Sequence, residues 1–328
     1  MSATQVTHIY KVIGNLSLTV DVSLPPNFSK ENGILVLHFH GGFLVIGEKT
    51  TLPPHWLINA CRTRSWAYAT ASYRLLPESP GLDILSDALD ATNWIHENVA
   101  KNLILAGSSA GAYLAVAAAA SPQSPHVLSV LSIYGMLDLT RPRYLQPGRG
   151  IRVALENVAE ELQAIDAAME TGDPLDGHAF PKDFAADKRF RWISALHESA
   201  RMPDTLARIP GLSARLNTLG LEAIPESHRA LFPLVFGVDA KFPPIALIHG
   251  DQDDLVDVEQ SIRAREKITQ YGGKVLLEVV EGQGHGFDCK EVFDIDKDVA
   301  PEVKFYPSLQ RVIEFLEETV ATQKSISS

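Results

Sequence analysis

Leu103-Ile104-Leu105-Ala106-Gly107-Ser108-Ser109-Ala110-Gly111-Ala112-Tyr113-Leu114-Ala115 joins an apolar run to a helix of small residues through two glycines and two serines. The first four residues predict a buried strand, and Ala110–Ala120 predicts a close-packed helix. A strand that turns this sharply into a helix strains the residue at the corner. Glycines on either side of Ser109 remove the Cβ atoms that would otherwise clash there. The hydroxyl of Ser109 then stands clear of the chain, at the positive end of the following helix. The bland account is a tight βα turn with two incidental serines. Three other segments weigh against it.

The rest of the chain repeats the same alternation. Val6–Ile13 and Leu16–Leu24 flank the turn dipeptide Gly14-Asn15 and predict an antiparallel hairpin at a sheet edge. Ile34–Phe39 is nearly all apolar, as in a strand covered on both faces. Tyr68–Tyr73, Leu103–Ala106, Val127–Tyr134, Ile245–His249 and Lys274–Val280 supply the other strands. Apolar spacing of three and four predicts helices over Pro54–Arg64, Ile84–Val99, Ala110–Ala120, Val258–Tyr271 and Leu309–Ala321. Asp83 is the expected N-cap of the second, and Gly272 the stop of the fourth. The expected class is α/β, a mostly parallel eight-stranded sheet flanked by helices. Residues 138–242 break the rhythm with helical patterns at Val153–Glu170 and Phe184–Ala200 and no clear strand. They are too long for a simple crossover and predict an inserted helical cap. The core is then 1–137 with 243–328.

Composition narrows the partners. The chain has 328 residues, 45% hydrophobic and 21% charged, which suits a globular α/β domain carrying an insertion. A net charge of -11 with no basic stripe argues against nucleic acid. The N-terminus has no basic region followed by an apolar run, and no stretch is apolar enough to span a bilayer. Cys61 and Cys289 lie far apart and match no metal-ligand spacing. A cytoplasmic location is expected, with no metal or cofactor. A small molecule is the expected partner, with room for a homodimer.

Acyl transfer needs a nucleophile, a base, a group to orient the base, and donors for the developing oxyanion. The base is expected in Gly282-Gln283-Gly284-His285-Gly286-Phe287, where glycines frame the only histidine after the last strand. The acid lies in His249-Gly250-Asp251-Gln252-Asp253-Asp254-Leu255-Val256-Asp257. Asp253 is favoured, Asp254 comes second, and most carboxylates of such a loop are merely solvated or cap a helix. Donors are expected from His40-Gly41-Gly42-Phe43, after the strand Ile34–Phe39, and from the N–H of Ala110.

Together with Tyr73-Arg74-Leu75-Leu76-Pro77-Glu78, these segments resemble the hormone-sensitive-lipase-like branch of the α/β-hydrolases, carboxylesterases and lipases with an HGGG motif. The resemblance covers about the first 135 residues and the last 90. It implies a serine hydrolase cleaving a small to medium, largely apolar carboxylic ester. Ser109 would be the nucleophile, His285 the base and Asp253 the acid. Gly41, Gly42, Phe43 and Ala110 would form the oxyanion hole. Phe43 stands at the motif's third glycine, which argues against bulky tertiary-alcohol esters. The family's N-terminal lid helices are replaced by a hairpin, so the cap must come from the insertion. Its large apolar residues, Phe180, Phe190, Trp192, Phe232 and Phe236, either line a pocket or pack the cap. The same triad admits amide, peptide or lactone hydrolysis, or acyl transfer and cyclisation. A non-catalytic binding protein on this scaffold is the more distant alternative.

Overall fold

The computed structural model describes residues 4–327 apart from 150, 152, 291, 293 and 298–304. Eight strands form one sheet: β1 (Thr4–Ile13), β2 (Leu16–Leu24), β3 (Ile34–Phe39), β4 (Ala67–Ala71), β5 (Asn102–Ser108), β6 (Val127–Ile133), β7 (Ile245–Gly250) and β8 (Val275–Val280). Their spatial order is β1-β2-β4-β3-β5-β6-β7-β8. The hairpin pairs antiparallel, β2 pairs antiparallel with β4, and every later pairing is parallel. The four central strands β3, β5, β6 and β7 are buried on both faces, except at Asn102. That is why they read as continuous apolar runs and not as alternating ones.

The sheet carries two packed faces. One is covered by α1 (His55–Thr63) and α11 (Tyr306–Ser327), through Trp56, Leu57, Leu309, Ile313 and Leu316. The other takes α2 (Gly81–Asn98), α3 (Ala110–Ala120) and α10 (Glu259–Gln270). Gly272 has φ +75 just beyond α10, as expected of a helix stop. Asp83 departs from expectation. Helix α2 starts one turn earlier, after Pro80 and with no side-chain cap, and Asp83 instead accepts from Arg74 at 2.8 Å. A buried guanidinium outbids a backbone N–H for that carboxylate.

Between β6 and β7 the chain forms α4 (Pro142–Leu145), α5 (Val158–Thr171), α6 (Lys188–Glu198), α7 (Met202–Ala207), α8 (Leu212–Leu219) and α9 (Pro233–Phe236), with no strand among the described residues. Helix α5 begins at Val158 and not at Val153, because Asn157 turns its side chain to the N–H of Glu160. Asp187 likewise starts α6 by accepting from the N–H of Phe190 at 2.9 Å. The apolar side chains of this segment, Ile193, Leu196, Leu206 and Leu231 among them, join the same continuous core as α2 and α3. Trp192 and Phe232 are buried there, while Phe236 is partly exposed under Arg229. Among the described residues no helix is long and apolar enough to cross a membrane.

Candidate active site

Ser109 occupies the corner between β5 and α3 with φ +54 and ψ −118, a conformation that a side chain rarely adopts. Its N–H donates to the carbonyl of Ile133 at 2.9 Å, and its carbonyl accepts from Met136 at 3.0 Å, so the end of β6 and the loop after it hold the strained residue. Gly111 is required by proximity: a Cβ there would stand 2.0 Å from the carbonyl oxygen of Phe39 on β3. The two serines of the turn divide their work. Ser108 Oγ hydrogen-bonds His38 Nε2 at 3.0 Å, while Ser109 Oγ has no hydrogen-bond partner among the described residues.

Of the acidic residues in the loop after β7, Asp253 alone reaches His285. Its Oδ2 accepts from His285 Nδ1 at 2.7 Å. Asp251 accepts from the N–H of Gly282, and Asp257 lies beside Arg143. Gly250 earns its place by close approach, since a Cβ would meet the carbonyl of Gln283 at 2.1 Å. The loops carrying Asp253 and His285 are thus pressed together. Burial alone would raise the Asp253 carboxyl, but donors from His249, His285 and the N–H of Val256 outweigh it. They hold the group well below the usual carboxylate range.

Ser109 and His285 line one recess of about 570 Å³, its open mouth included, with Gly41, Gly42, Phe43, Tyr134, Phe180, Phe190 and Ile193. Phe180 and Phe190, from the segment between β6 and β7, therefore face this space. The ring of Tyr134 packs 4.6 Å from that of His285, and its hydroxyl donates to the buried carboxylate of Asp288 at 2.7 Å. Among the described residues no hydrogen bond joins Ser109 Oγ to His285; the two share the lining of the recess. Beside Ser109, the backbone N–H groups of Gly42, Phe43 and Ala110 donate to no acceptor among the described residues. For Ala110 this follows from its place in the first turn of α3.

The Gly41–Phe43 loop is held by residues whose role the sequence left open. The His40 ring stacks on Tyr73 at 4.2 Å and donates through Nδ1 to the carbonyl of Gly41, while Tyr73 Oη donates to the carbonyl of His40 at 2.7 Å. Arg189 of α6, buried, donates to the carbonyls of Val45 and Leu76 and pairs with Glu78. The Tyr73–Glu78 motif is therefore a strut between the glycine loop and α6. Two further residues escaped sequence reasoning, Tyr134 and His249. A histidine closing an otherwise apolar strand was the only signal for the second.

Burial pushes His38 down to about 3, and His40 and His197 down to about 4. Unfolding frees each to protonate near its ordinary value of about 6.5. The unfolded chain then binds more protons, so this stability is complete above that value and is lost as pH falls toward the folded values. The urea midpoint should drop on acidification from about pH 6.5 to about 4, each histidine contributing up to about 1.4 kcal/mol per pH unit. A midpoint that stays flat over that window would contradict the neutral, buried state of these rings.

A family profile described as alpha/beta hydrolase fold matches residues 36–175, which include the glycine loop, the Tyr73–Glu78 motif and the Ser109 corner. The chain has the α/β-hydrolase fold. Within that superfamily the profile represents the hormone-sensitive-lipase-like branch, the one its motifs resemble. The chain is 25% identical over 90% of its length to a non-reducing polyketide synthase of Aspergillus terreus, of which it spans only 14%. It is 25% identical to a probable carboxylesterase of a Phoma species, with 79% of this chain and 80% of that protein covered. Among solved structures, an alpha/beta hydrolase superfamily protein from Enterococcus faecalis shares the fold. Its TM-score is 0.64 at 18% identity, over 97% of this chain and all of that one.

Proposed function

We propose that this α/β-hydrolase cleaves a carboxylic ester of a small to medium, largely apolar substrate through an acyl-enzyme on Ser109. The observation that carries the reading is the 2.7 Å Asp253–His285 contact opening on the same recess as a serine in strained backbone. His285 takes the Ser109 proton as the hydroxyl attacks the ester carbonyl, and Asp253 keeps the imidazole in the needed tautomer. The N–H groups of Gly42, Phe43 and Ala110 receive the oxyanion. The alcohol departs with the proton that His285 returns. Water, activated by the same imidazole, then releases the acid. The segment 138–242 acts as the cap, with Phe180 and Phe190 in the wall of the recess. The carboxylesterase relative supports ester chemistry.

A second reading rests on the polyketide synthase relatives, in which the acyl group would arrive as a thioester or leave by acyl transfer. One panel separates the two: p-nitrophenyl esters of graded acyl length, N-acetylcysteamine thioesters, anilides and lactones, compared by kcat/KM. Esters leading the panel, with anilides slowest, is the expected order. Thioesters far ahead of every ester would favour the second reading.

Gly42 offers an independent check on the oxyanion hole. It has φ +117, and a Cβ would stand 1.9 Å from the carbonyl oxygen of Ile46, so Gly42→Ala must displace the loop. Loss of one donor there should lower kcat by about 10²–10³-fold, measured with melting curves to separate it from unfolding. A folded Gly42→Ala protein with unchanged kcat would remove this loop from the mechanism.

A further inference from the structure

Four donors converge on Asp253. Its Oδ1 accepts from the N–H groups of Leu255 and Val256, both at 2.9 Å. Its Oδ2 accepts from His285 at 2.7 Å and from a second imidazole, His249, at 3.1 Å. His249 is the penultimate residue of β7 and is wholly buried. Its Nε2 also lies 2.8 Å from the carbonyl of Val256, which can only accept, so Nε2 carries a hydrogen. Its Nδ1 lies 2.8 Å from the hydroxyl of the buried Ser261 on α10. A neutral ring satisfies all three contacts, with Ser261 donating to Nδ1 and Nε2–H shared between Val256 and Asp253. Among the described residues, Asp253 is the only ionisable group that His249 hydrogen-bonds.

We infer that His249 is a positioning residue for the reaction: its Nε2–H, delivered to the same carboxylate oxygen that receives His285, fixes that oxygen and moderates its pull on the imidazole. A carboxylate has about four lone-pair sites, and here all four are taken by donors that the fold holds in place. Asp253 therefore neither rotates away from His285 nor takes up a proton. Sharing Oδ2 also divides that oxygen's hydrogen-bonding capacity between the two imidazoles. Ser261 acts one step further out by setting the ring's tautomer. The inference rests on the reading in which Asp253 orients His285.

The test compares p-nitrophenyl acetate hydrolysis by the full chain as wild type, His249→Asn, His249→Gln and Asp253→Asn, with kcat, KM and the pH profile of kcat/KM. Asparagine reaches only as far as Nδ1 and loses the contact to Asp253. Glutamine is long enough to place an amide N–H where Nε2–H stood. His249→Asn should lose about 10–100-fold in kcat at nearly constant KM, the loss expected for a hydrogen bond to a charged group. Its acid limb should move to higher pH. His249→Gln should recover most of kcat and restore the limb. Equal losses in both variants with an unmoved limb would overturn the inference, leaving His249 a packing residue. If His249→Asn does not fold, Ser261→Ala replaces it, and a Ser261→Ala protein with unchanged kcat and limb overturns the inference. Activity near wild type in Asp253→Asn would instead overturn the underlying triad, and the inference with it.

Discussion

Ser109→Ala should lower kcat by about 10⁶-fold while the melting temperature stays that of the wild type, the scale seen when a serine hydrolase loses its nucleophile. The separation of the two effects follows from the site. Ser109 Oγ hydrogen-bonds nothing among the described residues, so removing it orphans no buried partner. The strained backbone at φ +54 is held through the N–H and carbonyl of residue 109, which alanine retains. What disappears is the atom proposed to form the acyl bond. Initial rates on an activated ester, with melting curves run alongside, measure both. Turnover close to wild type would mean that the corner is only a turn.

Asp253→Asn should cost about 10⁴-fold in kcat, the loss known for the equivalent change in a serine protease triad. The geometry makes the substitution worse than neutral. Both oxygens of Asp253 accept two N–H donors, so an amide nitrogen in either position meets hydrogens instead of lone pairs. If it takes the Oδ2 side, His285 must turn over or lose its partner, and the proton then sits on the wrong nitrogen. If it takes the Oδ1 side, the loop at Leu255 and Val256 must open. Stability should fall as well as activity. Asp254→Asn is the matched comparison: Asp253, not Asp254, bonds His285, so turnover should be retained. The reverse pattern would reassign the acid to Asp254.

Much of this architecture was legible because strands buried on both faces write themselves as apolar runs. All eight strands lie where Val6–Ile13 through Lys274–Val280 predicted them, within a few residues at the ends. Gly107, Ser109 and Gly111 were legible for a local reason, since a strained corner leaves its needs in adjacent positions. The partner of His285 was only half legible. Four carboxylates crowd one loop, and the choice of Asp253 is made by a second loop pressed against Gly250, which no spacing reveals. Gly250 itself matters through that approach, which its place in the sequence does not show. Asp83 misled because its partner, Arg74, comes from another element. His249, Tyr134 and Arg189 were missed for the same reason: each acts through contacts made only after distant segments meet. The helices of 138–242 were visible, but not that their apolar residues would merge with one sheet face into a single core.

The central claim is that Ser109 is a nucleophile activated by His285. Labelling with a fluorophosphonate, followed by mass spectrometry of the digested chain, tests it directly. The account predicts one adduct on the peptide carrying Ser109, formed at the rate at which esterase activity is lost, and almost no adduct in His285→Ala. An unlabelled Ser109 in protein that still turns over ester, or equal labelling with and without the imidazole, would contradict it.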